Sequence, residues 1–254
     1  MTVFYFTATG NSMAVAKRIC SNAEGKLVSI PQIVNSDNLH YKDDAIGIVF
    51  PIYGFSAPKI VRRFLDKVKL EADYTFAIGT YGNLPGATMP NVQKLAQNNG
   101  YRFDYTNTLL MVDNYLPMFE MEDQAEKLPA KKTDENLAKI VDDIAGRRHA
   151  QAGASLALKA FTALLNAVHS FDNISKKYTV NNDCNKCGTC AKVCPVKNIT
   201  INDKVCFGDN CQACFACLHN CPKNALHIKG ERSEKRWRNP EVSLKEIIDA
   251  NSRS

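Results

Sequence analysis

Nine of the ten cysteines lie between Cys184 and Cys221, and only Cys20 stands outside that stretch. Cys184, Cys187, Cys190 and Cys194 read C-x2-C-x2-C-x3-C, with Pro195 after the last. Cys211, Cys214, Cys217 and Cys221 repeat the run, followed by Pro222. The offset of 27, from 184 to 211, also carries Ile199 and Ile201 onto Leu226 and Ile228. A duplicated unit of this size predicts a small pseudo-twofold module. Cys206 matches Thr179 in the other copy, so it reads, like Cys20, as a small core residue. Thiols clustered this densely in a cytosolic chain point to metal rather than to disulfides. C-x2-C pairs suit zinc, but zinc is satisfied by four ligands. Two sets of four, each with a third Cys at the next x2 step and a Pro after the last, favour metal clusters.

A second constellation sits near the N-terminus. An apolar run, Val3 to Phe6, leads into Thr7-Ala8-Thr9-Gly10-Asn11-Ser12, and Ala14, Val15 and Ile19 then fall on one helical face. A strand, a tight hydroxyl-rich loop and a helix N-terminus make an anion site of backbone N–H groups and hydroxyls. No Lys follows the Gly, and neither G-x-x-x-x-G-K-[ST] nor G-x-G-x-x-G is present, which excludes a nucleotide-triphosphatase loop and gives no support to direct NAD(P)H oxidation. Further along, Pro51-Ile52-Tyr53-Gly54 and Thr80-Tyr81-Gly82-Asn83-Leu84-Pro85-Gly86 end two more apolar runs, and Asp113-Asn114-Tyr115 ends a last one. Ligands of open α/β sheets bind beyond the carboxyl ends of the strands.

The elements that must position these groups are legible as alternation. Val3–Phe6, Lys26–Ile30, Ala45–Phe50, Thr75–Gly79 and Thr108–Val112 read as buried parallel strands. Helices over Ser12–Cys20, Pro58–Val68 and Met89–Asn98 fill the gaps, which predicts an α/β fold with helices on both faces of the sheet. Glu120 to Glu126 reads as an acidic loop, and Thr133 as the N-cap of a helix built on Leu137, Ile140, Val141 and Ile144. A helix over Ser155 to Ser170 is apolar nearly all round, with Lys159, Thr162, Asn166 and His169 as its polar stripe. Such a helix is expected to be buried, against the sheet or against another subunit, so a homodimer is one expectation. Val242, Leu244, Ile247 and Ile248 predict a short docking helix in the tail.

The cysteine segment resembles the bacterial two-cluster ferredoxins, in which three thiolates wrap one cubane and the fourth Cys, after which the Pro turns the chain, reaches the other. That resemblance implies one [4Fe-4S] cluster on Cys184, Cys187, Cys190 and Cys221, and another on Cys211, Cys214, Cys217 and Cys194. The N-terminal loop resembles the T-x-T-G-N-[ST] phosphate loop of flavodoxins, which implies FMN. Its binding residues would be Thr7, Thr9, Gly10, Asn11 and Ser12 for the phosphate. Pro51, Ile52, Tyr53, Gly54, Thr80, Tyr81, Gly82, Asn83 and Gly86 would hold the ring. The whole chain is similar to the flavodoxin–ferredoxin fusion proteins of anaerobic bacteria, the EFR1-type family. The expected architecture is a flavodoxin-like doubly wound parallel five-stranded sheet over 1–150, a helical linker over 151–178, a small α+β two-cluster ferredoxin domain over 179–230, and a tail over 231–254.

The cofactors then define the function expected. FMN accepts electron pairs and releases them singly, while each cluster carries one. The leading expectation is an electron-transfer protein serving a redox protein donor or acceptor, a ferredoxin or an oxidoreductase. The competing one is a ferredoxin-dependent flavin reductase acting on an enone, quinone or nitro compound, with Tyr53, Tyr81 or Tyr115 as proton-donor candidates and Asp113 the lone acid in the flavin loops. The net charge of +6 is no nucleic-acid signature, because thiolate-bound clusters and a phosphate offset it and the basic residues are dispersed apart from Lys229 to Arg238. Met1 leads directly into a strand, so no signal peptide is expected, and the Ala154–Val168 run is too short to span a bilayer. An anaerobic cytoplasm suits oxygen-labile clusters.

Overall fold

The computed structural model describes residues 1–168 and 173–252. Five strands make the central sheet: β1 (Thr2–Tyr5), β2 (Lys26–Ser29), β4 (Ala45–Pro51), β6 (Tyr74–Tyr81) and β7 (Tyr105–Leu110). All pairs are parallel and the order is β2-β1-β4-β6-β7. Renumbered within the sheet this is 2-1-3-4-5, the flavodoxin-like doubly wound order. Two short strands, β3 (His40–Lys42) and β5 (Lys69–Glu71), pair apart from it. Parallel strands covered on both faces need continuous apolar runs, and six of the seven residues of β4 are buried. Alternate residues feed two cores. Val3, Tyr5, Val49 and Ile78 pack toward α1 (Asn11–Asn22) and α6 (Thr133–Ala145). Phe4, Phe6, Ile48 and Phe50 pack toward α2 (Ile30–Ile33), α3 (Lys59–Leu65) and α4 (Thr88–Asn98). Gly47 lets the layers close, for a Cβ there would fall 2.0 Å from the Phe76 ring.

Several sequence expectations need correction. The last strand starts at Tyr105 rather than Thr108, because Tyr105 and Thr106 pair with Phe76 and Ala77, while Met111 and Val112 lie past its end. Glu120 to Glu126 is not a loop: Met121–Glu126 forms α5, with Met121 buried. Thr133 is no cap. Lys132 takes the left-handed conformation at φ 48° and Thr133 Oγ1 donates to the Leu110 carbonyl instead. The apolar helix, α7 (Leu156–Val168), is exposed along most of its length: Leu156 is 84% exposed and Leu164 63%. What it buries is Thr162, from the expected polar stripe, whose Oγ1 accepts from the Ala87 N–H at 3.0 Å. Ser155 caps this helix through the Leu158 N–H, and His169 and Ser170 lie outside the described residues.

The cysteine repeats fold as matched halves. β8 (Tyr178–Val180), α8 (Thr189–Lys192) and β9 (Ile199–Ile201) recur as β10 (Val205–Phe207), α9 (Ala216–His219) and β11 (Leu226–Ile228). The halves are interleaved, since β8 pairs with β11 and β9 with β10, both antiparallel. Cys20 is buried as expected, but Cys206, on edge strand β10, is only half-buried. The tail helix α10 (Leu244–Asn251) opens with a capping box between Ser243 and Glu246. It docks on the sheet half through Ser29 Oγ to the Ala250 carbonyl and Gln32 Nε2 to the Asp249 carbonyl, and reaches the first repeat through Asn251 Nδ2 to the Val193 carbonyl. Among the described residues no helix is long and apolar enough to cross a membrane.

Candidate functional site

The carboxyl ends of β1, β4, β6 and β7 open into a cleft of about 290 Å³. Thr7, Thr9, Asn11 and Ser12 line one end, in the turn between β1 and α1. Gly10 sits at φ 100°, and its N–H donates to Thr7 Oγ1 at 3.1 Å. Ser12 Oγ and Thr80 Oγ1 stand 2.8 Å apart, joining this loop to the end of β6. Pro51, Ile52, Tyr53 and Gly54 form a second wall. Tyr53 and Ser56 exchange two backbone hydrogen bonds around Gly54 and Phe55, at φ 52° and 66°. A phenylalanine held there is strained, and such strain concentrates at functional sites. Thr80, Tyr81, Gly82 and Asn83 form the third wall and Asp113, Asn114 and Tyr115 the fourth. Gly82 must be Gly: a Cβ would lie 2.3 Å from the Asp113 Cα. Of the sequence-predicted loop residues, Gly10 and Gly86 do not line the cleft; a Cβ on Gly10 would meet Asn239 and one on Gly86 would meet Phe55.

The same cleft is closed by Ala213, Cys214 and Phe215 of the second cysteine repeat. Burial, with the Cys214 thiol nearby, holds the Tyr53 hydroxyl well above its ordinary range. Burial also raises the Tyr81 and Tyr115 hydroxyls and the Asp113 carboxyl. Behind the third and fourth walls lies a group the sequence did not reveal. Lys131 Nζ donates to the carbonyls of Gly82 and Met111, at 3.0 and 2.6 Å, and to Gln124 Oε1 at 3.2 Å. Burial lowers its pKa while Asp113 opposes that shift.

The eight repeated cysteines fall into two groups. Burial pushes the Cys190 thiol up to about 11, with Cys221, Cys184 and Cys187 adding to the shift. Burial also raises Cys217, with Cys214, Cys211 and Cys194, and after them Cys190, adding to the shift. In each set the fourth thiol of the other run is among the groups that act on the buried one, Cys221 on Cys190 and Cys194 on Cys217. Backbone conformation repeats with the same offset of 27: positive φ occurs at Lys186, Gly188 and Lys197 and again at Ala213, Phe215 and Asn224. Five of these six are not glycine, so the small unit holds costly turns at every corner of its cysteine loops. Matched N–H···S bonds follow, from Asn198 to Cys194 Sγ at 3.2 Å and from Ala225 to Cys221 Sγ at 3.3 Å. The Tyr178 hydroxyl and Cys211 Sγ stand 3.7 Å apart, within hydrogen-bond reach. Among the described residues no three His, Cys, Asp or Glu side chains converge tightly enough to hold a single ion.

Strand order and cysteine pattern together define a flavodoxin-like α/β unit joined to a ferredoxin-type module. Residues 178–200 match the family of 4Fe-4S binding domains. No match was found among curated proteins. Solved structures similar to the chain include the two-electron reduced flavodoxin of Megasphaera elsdenii, at 18% identity over 42% of this chain and 83% of that one, with a TM-score of 0.32. A flavodoxin from the domain Archaea is 15% identical over 56% of this chain and 97% of that one, with a TM-score of 0.30. An azoreductase from Bacillus anthracis is 12% identical over 56% and 99%, with a TM-score of 0.35. The strand order, rather than these low-scoring likenesses, fixes the fold.

Proposed function

We propose that the protein is an electron-transfer iron–sulfur flavoprotein of the flavodoxin–ferredoxin fusion family, holding FMN in the cleft and two [4Fe-4S] clusters on the two thiol groups. One observation carries this reading: Cys214 is at once a member of the second thiol group and part of the cleft wall. Bound there, FMN would exchange electrons in pairs or singly, and the clusters one at a time. The residues present fit these groups. Thr7, Thr9, Asn11 and Ser12 offer hydroxyls, an amide and a helix N-terminus to a phosphate. Tyr53, Tyr81 and Tyr115 offer rings, and Gly82 lets the backbone approach. Cys184, Cys187, Cys190 and Cys221 would hold the first cluster; Cys211, Cys214, Cys217 and Cys194 would hold the second. Buried thiolates are costly alone, and iron offsets that cost. Cys187 is exposed, so the first group faces solvent and a redox protein partner, while the second faces the cleft.

Anaerobic reconstitution tests the reading. About eight irons and one FMN should bind per chain. A one-electron donor protein should bleach the FMN of fully loaded protein much faster than that of iron-free protein. Zinc in place of iron, or no flavin bound, overturns it. A second reading is favoured by Asp113, an acid inside the cleft held above its ordinary range by burial. A neutral carboxyl there would serve a reductase as proton donor to an enone, quinone or nitro compound. Turnover of such a compound without a protein acceptor, lost in Asp113→Asn, identifies that activity.

A further inference from the structure

The chain leaves the second repeat and runs back across the loop that follows β1. Each of the four residues at the centre of that loop meets either this returning segment or the second repeat. Asn220 Nδ2 donates to the Ala8 carbonyl at 3.2 Å, and the Asn239 N–H donates to the Thr9 carbonyl at 2.8 Å. At Gly10, a Cβ would lie 2.9 Å from Asn239 Cβ and 3.0 Å from Val242 Cβ, so the segment packs flush on the glycine. Asn11 Oδ1 accepts from both Asn239 Nδ2 and Trp237 Nε1, at 3.2 and 3.4 Å. The Asn239 amide is itself oriented, since its Oδ1 accepts from the Glu241 N–H at 3.0 Å.

The circuit closes on the far side of the cleft. The Trp237 N–H donates to His219 Nδ1 at 3.0 Å, which leaves Nε2 to donate to the Asn114 carbonyl at 2.8 Å. Asn114 Nδ2 in turn donates to Thr9 Oγ1 at 2.6 Å. Asn239 and Val242 are 7% and 2% exposed, so these contacts are shielded from water.

A loop whose N–H groups must converge on an anion loses conformational freedom when the anion binds, and fixing it beforehand removes that cost. We propose that the segment 237–242 is a strap that sets the anion-binding shape of the Thr7–Ser12 loop, with Asn239 and Trp237 as positioning residues for the phosphate end of the flavin nucleotide. The proposal rests on the FMN reading above. Because His219 and Asn220 belong to the second repeat, the strap also makes the grip on the phosphate depend on the folded cysteine module.

The test compares FMN with riboflavin, which lacks the phosphate, on the full chain with its clusters loaded anaerobically and its flavin removed. Asn239→Ala should weaken FMN about tenfold, the scale of one or two lost shielded hydrogen bonds. Riboflavin affinity and iron content should stay unchanged. Trp237→Phe keeps an aromatic side chain and the backbone N–H to His219 but loses the indole N–H to Asn11 together with the five-membered ring that carries it, so its FMN loss should be about threefold. Should Asn239→Ala lower the iron content, the Trp237→Phe comparison decides. Equal weakening of both flavins, or no change in either, overturns the strap while leaving the FMN reading intact. Wild-type protein that binds neither flavin overturns both.

Discussion

At Tyr178 the hydroxyl lies 3.7 Å from Cys211 Sγ in the interior of the small unit, and burial keeps it protonated far above its ordinary range. A hydrogen donated to a ligand sulfur favours the more negative, reduced cluster, so it raises the potential. Tyr178→Phe should therefore lower the midpoint potential of the cluster proposed on Cys211, Cys214, Cys217 and Cys194. A bond worth about 1 kcal/mol corresponds to roughly 40 mV for one electron, and a redox titration followed by low-temperature spectra would read it. An unchanged potential would mean that the hydroxyl does not donate to the sulfur. Residues of this kind were partly legible beforehand. The cysteine spacing encodes its own geometry because the covalent chain fixes how far apart three thiols can stand. The polar partners of the Thr7–Ser12 loop are different in kind. Asn11 and Asn239 are 228 residues apart, and nothing in either neighbourhood marks them as a pair. Lys131 is equally silent, since a lysine between Lys127 and Lys132 reads as surface until its carbonyl partners are seen.

Elements were readable where one physical demand dominated and misread where two competed. Strands β1 and β4 are buried on both faces, so their apolar runs announced them. The start of β7, with Thr106, Asn107 and Thr108, lacks that signal, so the apolar run marks the strand three residues late. For α7 the composition gave a helix but not its packed side, and the chain buried Thr162 because the Ala87 N–H needs an acceptor there. The tail helix α10 offers an element-scale test. Glu246 accepts from the Ser243 N–H at 2.8 Å and pairs with Lys17 at 2.9 Å, and these contacts, Lys17 first, pull its carboxyl down to about 2. Glu246→Gln should cost about 1 kcal/mol, the usual value of a cap, read as a lower Tm. A depressed carboxylate stabilises above its unfolded pKa and loses that contribution as pH falls through the folded one. Docking of α10 should accordingly be indifferent to pH near neutrality and loosen only as pH drops below the ordinary carboxylate range toward about 2. Trp237 fluorescence reports it, as the chain has no other tryptophan. Loosening already at pH 6 would assign the docking to another group.

On the scale of the whole molecule, the pieces share their cores. One cluster of buried side chains runs from Val49 and Ile78 of the sheet through Val193 and Ala216 of the two repeats to Val242 and Ile247 of the tail. Such continuity holds the second thiol group against the cleft as a fixed distance rather than a tethered one. It also gives the molecule two dissimilar ends. Cys187 is exposed and flanked by exposed Lys186 and Lys192, whereas Cys214 is turned into the cleft beside Tyr53. If electrons cross the molecule between those ends, removing the outer group should separate partner access from flavin binding. Cys187→Ala should lower iron from about eight to about four per chain and leave the FMN content unchanged. Reduction of the flavin by a one-electron donor protein should fall at least about tenfold, the consequence of a lost relay. A small photochemical reductant that enters the open cleft directly should reduce the variant as fast as the wild type. Stopped-flow traces at the flavin wavelength distinguish the two routes: equal rates with the donor protein would place its docking site at the cleft mouth and make the outer thiols a structural support for the inner ones.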